Sequence, residues 1–229
     1  MFGETERAVE RIAPGFFRRD FEAEHIARYR WAARYVPGAK VLDIACGTGY
    51  GAQILLAVGA GRVTSVDLSF SAVQFGVQSY DIVGVVSDAH RLPFKDGAFD
   101  RVVSLETLEH LATPEIFIGE VARVLRPFGV LALSTPNGDL SHGSNPYHLR
   151  EFSLGELVEL LTKRSLRPLG VWGQGWRLRA SLFHRVRGLR RLAFSISKSP
   201  GIKRSFVGAA PRYWCMIARY EPDALQCGD

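Results

Sequence analysis

The chain has 229 residues, a formal net charge of +6 at pH 7 and 47% hydrophobic residues, so it can bury one substantial core. Its three cysteines, at positions 46, 215 and 227, are too scattered to predict a disulfide framework or a clustered zinc site. The charged N-terminus does not fit a signal peptide, and no apolar run reaches the roughly 18 residues of a membrane-spanning helix. We therefore expect one domain over residues 1–229 in the reducing cytoplasm, with a peripheral position at the membrane as an alternative.

The first predicted element is an amphipathic helix over residues 20–36, which ends before a Pro-Gly pair. Its apolar residues, among them Phe21 and Ile26, can share one face, and Tyr29 lies close to that face. The polar residues beside it, such as Arg28, either form a solvated surface or help this helix to cover a ligand.

The stretch 40–52 carries the strongest local pattern. An apolar run from Val41 to Ala45 predicts a strand that is buried on both faces. Three alternate glycines follow it, and an apolar run over 52–58 predicts a helix. A strand, a glycine turn and a helix form the first unit of a doubly wound nucleotide-binding fold.

Two cofactor classes fit this unit. The spacing Gly47-x-Gly49-x-x-Ala52 satisfies the dinucleotide fingerprint, and Asp67 lies 20 residues after Gly47, where a ribose-binding acid is expected. However, Asp43 would repel a pyrophosphate, whereas its carboxylate could meet an ammonium group. The length of the chain also leaves little room for a separate substrate domain.

Residues 41–49 resemble the first motif of the class I S-adenosylmethionine-dependent methyltransferases, and later stretches extend this resemblance over roughly residues 20–175. The resemblance is closest to the small-molecule and polysaccharide-associated members. It implies an α/β, Rossmann-like, doubly wound sheet of seven strands in three layers, with the last strand antiparallel and a helical insertion before it. It also implies S-adenosylmethionine as the cofactor, lying across the ends of strands one, two and four.

The resemblance assigns roles to several polar residues. Asp67 would accept hydrogen bonds from both ribose hydroxyls, since a carboxylate has two acceptor oxygens. Asp88, after a strand over 82–86, would accept from the adenine amino group, and Tyr29 would cover the cofactor. Local alternatives are a helix cap for Asp67 and a turn residue for Asp88. The expected cofactor-binding set is Tyr29, Asp43, Cys46, Gly47, Gly49, Asp67, Leu68, Asp88, Ala89, Ser104, Glu106 and His110.

The run from Glu106 to His110 also raises the question of a metal. Glu106 and His110 would share one face of a helix, and with Glu109 and a later histidine they could bind an ion, as a similar cluster does in small-RNA 2′-O-methyltransferases. Many metal-free methyltransferases carry a similar run, and only His142 and His148 follow in this part of the chain. We therefore expect no metal.

Helix-capping residues and apolar runs predict the next helices and strands. A helix over 113–125 has Thr113 as its predicted cap, and strands are expected at 101–105, 130–135, 166–173 and 213–220. Ser153 and Glu156 have the spacing of a capping box, which predicts a helix over 153–162.

The polar segment 136–152 leaves the fifth predicted strand and should therefore hang over the methyl group of the cofactor. His148 and Glu151 are the expected catalytic residues, because a methyl transfer to oxygen requires removal of a proton and His148 has a suitable pKa. Glu151 either orients His148 or is itself the base. The expected substrate-binding residues are Asn137, Tyr147 and Arg150. Alternatively, His148 and Glu151 only lock the loop onto the next helix.

The C-terminal third is basic: residues 150–229 carry a net charge of +9 and the rest of the chain carries −3. Arginines alternate with apolar residues over 176–210, which predicts one or two basic amphipathic helices. These could form a lid, contact an anionic surface or membrane, bind phosphate, or pack with a solvated basic face.

We expect an O-methyltransferase that acts on a small molecule, sugar, glycolipid or quinol. The alternatives are an RNA methyltransferase and a cofactor-binding module without catalysis. Nucleic acid is not the expected partner, because no RNA-binding module is recognisable.

Overall fold

The computed structural model describes residues 19–140, 145–175, 177–178, 202 and 209–222. The described α-helices are α1 (Arg19–Ala32), α2 (Tyr50–Ala57), α3 (Phe70–Tyr80), α4 (Pro114–Val124) and α5 (Leu154–Thr162). The described strands are β1 (Lys40–Ile44), β2 (Arg62–Asp67), β3 (Val83–Val86), β4 (Phe99–Leu105), β5 (Leu125–Pro136), β6 (Leu166–Gln174), β7 (Arg177–Leu178), β8 (Ala209–Ala210) and β9 (Tyr213–Tyr220). Short 3-10 helices cover Ala33–Tyr35 and Leu108–His110.

The main sheet has the strand order β3-β2-β1-β4-β5-β9-β6. β1 pairs in parallel with β2 on one side and with β4 on the other, so the winding direction reverses between β1 and β4. β9 runs antiparallel between β5 and β6. This topology confirms the predicted doubly wound sheet of seven strands with an antiparallel last strand. It also opens a crevice at the carboxyl ends of β1 and β4, where ligands bind in sheets of this kind.

Helices cover both faces of the sheet, which explains the continuous apolar runs of its central strands. Leu42 of β1 packs into the core beneath α4 and α5, where Phe117 and Leu161 are fully buried. The preceding residue, Val41, packs into the second core beneath α1 and α2, together with Trp31. The alternation of side chains along β1 therefore builds two cores and three layers.

The fifth strand is longer than the sequence predicts. β5 begins at Leu125 rather than at residue 130, because Leu125 pairs with Phe99 of β4 directly after α4. The register then shifts before Val130 pairs with Arg101, and Phe128 within this irregular stretch has a left-handed φ of +62°.

The two predicted helix caps have different outcomes. The capping box at Ser153 and Glu156 is confirmed, with both reciprocal hydrogen bonds present. The side chain of Thr113 makes no capping hydrogen bond, and α4 begins with Pro114 in its first turn instead.

The predicted basic helices over 176–210 lie mostly outside the described residues. Within that range, β7 pairs with β8 in antiparallel register. In the described part of the chain, no helix is both long enough and apolar enough to span a membrane.

The packing of α1 against α2 gives a first testable prediction. A Cβ atom added at Gly51 of α2 would lie 2.0 Å from Cζ of Tyr29, so Gly51→Ala must displace the tyrosine ring or the helix. We expect this overpacking to lower the free energy of unfolding by about 1–3 kcal/mol, although alanine favours helices more than glycine does.

Gly155→Ala on α5 is the matched control, because among the described residues no heavy atom beyond its own helix backbone lies within 4 Å of a Cβ added there. We expect this control to keep or raise the free energy of unfolding, by up to about 1 kcal/mol. Urea denaturation of both variants provides the comparison, and equal stability of the two would contradict the close approach of Tyr29.

Candidate functional site

A cleft of about 760 Å³ lies at the carboxyl ends of β1, β2, β3 and β4, within the size range of small-molecule sites. Most of the predicted site residues line it. They are Tyr29, Cys46, Gly47, Asp67, Leu68, Asp88, Ala89, Glu106, His110, Asn137, Tyr147, His148 and Glu151.

The loop after β1 is fixed to the end of β2 by Asp67. The backbone N–H of Gly47 donates to Oδ2 of Asp67 at 2.8 Å, and the backbone N–H of Ser69 donates to Oδ1 at 2.9 Å. Gly47 has a left-handed φ of +55°, which glycine adopts at little cost. Each carboxylate oxygen of Asp67 keeps a second lone pair. The cleft can therefore present this carboxylate to a ribose diol.

A second carboxylate, that of Asp43, lies beneath the cleft. It is fully buried, and the hydroxyl of Tyr29 donates to its Oδ1 at 3.2 Å. Burial raises the pKa of Asp43 to about 7, and the nearby charge of Asp67 adds to this rise, while the hydrogen bond from Tyr29 opposes it. A carboxyl group in this state is easily ionised by the arrival of a positive group.

Asp88 stands at the opposite, exposed side of the cleft, after β3. Its Oδ1 accepts hydrogen bonds from the backbone N–H and from Nδ1 of His90, both at 2.8 Å. The backbone bond from His90 is the main reason that the pKa of Asp88 lies below its usual value. The carboxylate is thus ionised and held in place beside Ala89, as an acceptor for an amino group would be.

Four predicted residues do not line the cleft: Asp43, Gly49, Ser104 and Arg150. Gly49 precedes α2 with a φ of +84°, and a Cβ there would lie 2.6 Å from Cδ1 of Ile82, so packing explains this glycine. Ser104 is fully buried in β4, and Arg150 forms an ion pair of 3.0 Å with Glu156. The cofactor-binding or substrate-binding roles expected for these four residues stay predictions.

Arg28 was expected beside the apolar face of the first helix, but it is fully buried. Its guanidinium lies over the ring of Tyr213 at 4.5 Å, Nη1 donates to Oε1 of Gln174, and Nε lies 3.8 Å from Oε1 of Glu106. These contacts join α1 to β9, to β6 and to the end of β4. The buried cation therefore holds α1 at one wall of the cleft.

The prediction that Glu106 and His110 share one helix face requires an α-helix over residues 106–110, and the structure has none there. Glu106 has a left-handed φ of +54°, and only Leu108–His110 form a 3-10 turn. Glu106 turns towards Ser134, whose hydroxyl donates to its Oε1 at 2.7 Å. Glu106 and His110 therefore do not share a helix face, although both line the cleft.

The opposite end of the cleft, formed by Glu109, His110 and residues 145–151, is here called the loop end. Nδ1 of His148 hydrogen-bonds to Oε1 of Glu151, and Nε2 of His148 lies 2.8 Å from Nδ2 of Asn145. Both ring nitrogens of His148 thus have polar partners. Glu151 is the carboxylate of this pair and lines the cleft.

Glu109 joins the loop end from beneath. Its side chain is fully buried, Oε2 accepts from the hydroxyl of Thr135 at 2.9 Å, and burial, with Glu106 nearby, raises the pKa of Glu109 well above its usual value. One ligand atom each from Glu109, His110 and His148 lies within 4.8 Å of the others. His142, the other histidine considered for such a cluster, lies outside the described residues.

Sequence reasoning missed several residues of the cleft wall: His25, Tyr50, Asn145, Arg212 and Tyr213. Tyr50 directly follows Gly49 of the glycine turn, so its position in the sequence could have indicated it. In the structure, Nδ1 of His25 lies 2.7 Å from the hydroxyl oxygen of Tyr50. Arg212 and Tyr213 precede or begin β9, and only the antiparallel pairing of that strand brings them to the cleft.

A glycine loop, an acid at the end of β2 and a cleft at the β1–β4 reversal define a Rossmann-like nucleotide-binding domain. Residues 42–133 match the family model described as "Methyltransferase domain". This match and the similar proteins below confirm the predicted resemblance to the class I S-adenosylmethionine-dependent methyltransferases. The resemblance implies S-adenosylmethionine as the cofactor, and the anchored carboxylate of Asp67 fits the ribose of such a ligand.

Similar proteins agree with this assignment. The chain is 36% identical over 159 residues to a probable S-adenosylmethionine-dependent methyltransferase of Mycolicibacterium smegmatis, covering 66% of this chain and 62% of that protein. It is 36% identical over 111 residues to a ubiquinone biosynthesis O-methyltransferase of Xanthomonas campestris pv. campestris, covering 44% and 45%. The chain thus spans less than two thirds of these relatives.

The fold also matches a methyltransferase solved in complex with the Haloferax volcanii Trm112 methyltransferase activator. The TM-score is 0.64 at 19% identity, covering 89% of this chain and 94% of the other. At that identity the likeness concerns the fold alone.

The burial of Asp43 predicts a pH dependence of stability. Its folded-state pKa of about 7 lies above the ordinary value of an unfolded aspartate, about 3.9. Between these values the folded chain holds a proton that the unfolded chain has lost. The free energy of unfolding should therefore fall as the pH rises from about 4 to about 7, by at most about 4 kcal/mol from this group.

Asp43→Asn removes this titration and keeps an oxygen that can accept from Tyr29. We expect the variant to be more stable than the unchanged chain at pH 8 and similar to it at pH 4, by urea denaturation without cofactor. Asp81→Asn, at an exposed position, is the control and should follow the unchanged chain. If the free energy of unfolding changed with pH in the same way for Asp43→Asn and for the unchanged chain, the raised pKa of Asp43 would be refuted.

Proposed function

We propose that the chain transfers the methyl group of S-adenosylmethionine to a hydroxyl oxygen of a small or lipid-like acceptor. The observation that carries this proposal is the cleft itself. At one end two backbone amides fix the Asp67 carboxylate, and at the other end a carboxylate–imidazole pair faces the same cavity. Two parts of this proposal need tests: that the protein transfers the methyl group, and that the acceptor is a hydroxyl compound of this class.

The residues of the nucleoside end have distinct roles in this proposal. Asp67 accepts from the ribose hydroxyls, and Asp88 accepts from the adenine amino group. Tyr29 lines the cleft above Asp43, and its hydroxyl links the buried carboxyl to the cavity. The negative charge of these acids suits a cofactor that carries an ammonium group and a positively charged sulfur.

At the loop end, Glu151 is the proposed proton acceptor. Bound S-adenosylmethionine supplies a methyl group that is already activated by the positive charge on sulfur. The chain therefore has to orient the acceptor oxygen and to accept its proton. His148 holds the Glu151 carboxylate through Nδ1, while its Nε2 faces the amide of Asn145, so His148 acts as a positioning residue.

The walls of the loop end favour an acceptor with an apolar body. Leu111, Pro136, Leu140 and Tyr147 line the cleft beside the polar pair. The side chain of Tyr147 is 48% exposed there. A quinol or a lipid-linked hydroxyl compound matches this combination, and the similarity to a ubiquinone biosynthesis O-methyltransferase supports the same acceptor class.

Cofactor binding is tested by isothermal titration with S-adenosylmethionine. We expect Asp67→Asn to weaken the affinity by about 10–100-fold, because it removes the charge of a carboxylate that accepts from the ribose. Asp81→Asn, at a position that does not line the cleft, should bind S-adenosylmethionine as the unchanged chain does. The absence of heat at millimolar cofactor for the unchanged chain would remove the proposal.

Catalysis is tested by transfer of a labelled methyl group to a panel of quinols, hydroxylated lipids and sugars. We expect Glu151→Gln to lower kcat by about 100-fold and to leave cofactor affinity unchanged, since a proton acceptor contributes at least this much. Glu159→Gln, which removes an exposed glutamate of α5, is the matched control and should keep full activity. Full activity of Glu151→Gln would exclude Glu151 as the proton acceptor.

A further inference from the structure

The turn that carries Asp88 also holds the side chain of His90, which the proposed function leaves unused. We propose that His90 is a positioning residue that fixes the Asp88 carboxylate and thereby makes the cleft select a 6-aminopurine base over a 6-oxopurine base. The inference deepens the proposed function and rests on the adenine role proposed there for Asp88. Asp88 lines the cleft and His90 does not, so His90 would act on a ligand through its neighbour.

Both hydrogen bonds from His90 converge on one oxygen of Asp88. The backbone N–H and the ring Nδ1 of His90 each lie 2.8 Å from Oδ1. The pKa of Asp88 lies below its usual value, chiefly because of the backbone bond, so the group is an ionised carboxylate that only accepts. Nδ1 therefore carries a hydrogen and donates it. Among the described residues no hydrogen bond reaches Oδ2, which leaves this oxygen for a ligand.

The exposure of Asp88 gives the bond from the ring a purpose. The side chain of Asp88 is 56% exposed, whereas that of His90 is 24% exposed. An exposed side chain exchanges between rotamers within nanoseconds, and ordering it when a ligand binds costs free energy. A carboxylate that His90 has already oriented avoids most of this cost. The bond from Nδ1 thus prepares Asp88 for the ligand.

The turn itself is held by bonds that do not involve the ring of His90. The backbone N–H of Arg91 donates to the carbonyl oxygen of Asp88 at 3.0 Å. The hydroxyl of Ser87 donates to the carbonyl oxygen of Arg91 at 3.0 Å, and the backbone N–H of Ser87 donates to that of Asp67 at 3.0 Å. The ring can therefore be changed while the turn stays joined to the end of β2.

The carboxylate oxygen left for a ligand determines which base fits. The amino group of a 6-aminopurine can donate to Oδ2 of Asp88, whereas the carbonyl of a 6-oxopurine would bring a second acceptor against it. A site built to bind a donor rejects the analogue that lacks it, because the polar group of the site is then left unpaired. A free carboxylate could turn away from the wrong base, but one held at Oδ1 must first break the bond from the ring. Loss of that bond should weaken the binding of the right base and relax the rejection of the wrong one.

The test measures the affinities of the full chain for S-adenosylhomocysteine and S-inosylhomocysteine by isothermal titration. The two ligands differ in the 6-amino or 6-oxo group of the base. For the unchanged chain we expect the inosine compound to bind about 10–100-fold more weakly, the cost of a lost hydrogen bond to a charged group. His90→Leu removes the ring donor and should reduce this ratio by about 3–10-fold, the cost of ordering one side chain. Nε2 of His90 has no hydrogen-bond partner among the described residues, so leucine removes no second bond from the ring.

His90→Asn is the matched variant, because asparagine has nearly the size of leucine and places an amide donor close to the position of Nδ1. It should keep the ratio of the unchanged chain. In an Asp88→Ala background, His90→Leu should cause no further change, since His90 acts through that carboxylate. A purely structural role would instead weaken the binding of both ligands equally and would leave the ratio as it is.

A ratio that His90→Leu leaves unchanged would overturn the inference, and so would an unchanged chain that binds both ligands equally well. The measurement requires no acceptor, so it is separate from the test of catalysis. Selectivity that depends on His90, together with no methyl transfer to any acceptor, would support the role of His90 and count against the proposed methyl transfer. Binding of neither ligand would overturn both.

Discussion

The hydrogen bonds to Asp67 are the interaction on which the arrangement of the cleft depends. Two backbone amides, one from Gly47 and one from Ser69, donate to its carboxylate, so this side chain fixes both the loop after β1 and the entry to α3. Among the described residues, the hydrogen-bond donor to the carboxyl of Asp43, on the adjacent strand, is the phenol of Tyr29. Burial raises the pKa of Asp43 to about 7, and the nearby charge of Asp67 adds to this rise. The cleft thus keeps a carboxyl group that ionises when a positive ligand arrives.

A buried positive charge balances this acidic region. Arg28 stacks on Tyr213 and lies close to Glu106, and its hydrogen bond to Gln174 joins the first helix to a strand 146 residues later. A buried guanidinium is costly unless such partners surround it. The position of α1 over the strand ends therefore depends on the correct pairing of β6 and β9. Formation of this wall of the cleft and completion of the sheet are thus coupled.

Local signals predicted the fold, and long-range contacts explain what they missed. The glycine loop, the capping box at Ser153 and the apolar runs act within a few residues, and the structure contains all of them. The burial of Arg28 depends on β9, and the environment of Glu109 depends on the loop that carries His148. No periodicity within either segment encodes these contacts. The same holds for β5, whose early start depends on its pairing with Phe99.

The loop end shows how one residue can serve the fold and the chemistry through different atoms. The backbone carbonyl of Glu109 accepts the N–H groups of Leu149 and Arg150, at 2.8 and 3.3 Å, and so holds the loop that places His148 opposite His110. The side chain of Glu109 is meanwhile fully buried, and its Oε2 accepts from the hydroxyl of Thr135. The substitution Glu109→Gln keeps the backbone hydrogen bonds from Leu149 and Arg150 and removes the ionisable carboxyl group. The position of the loop and the charge at the loop end are therefore separable, although both depend on Glu109.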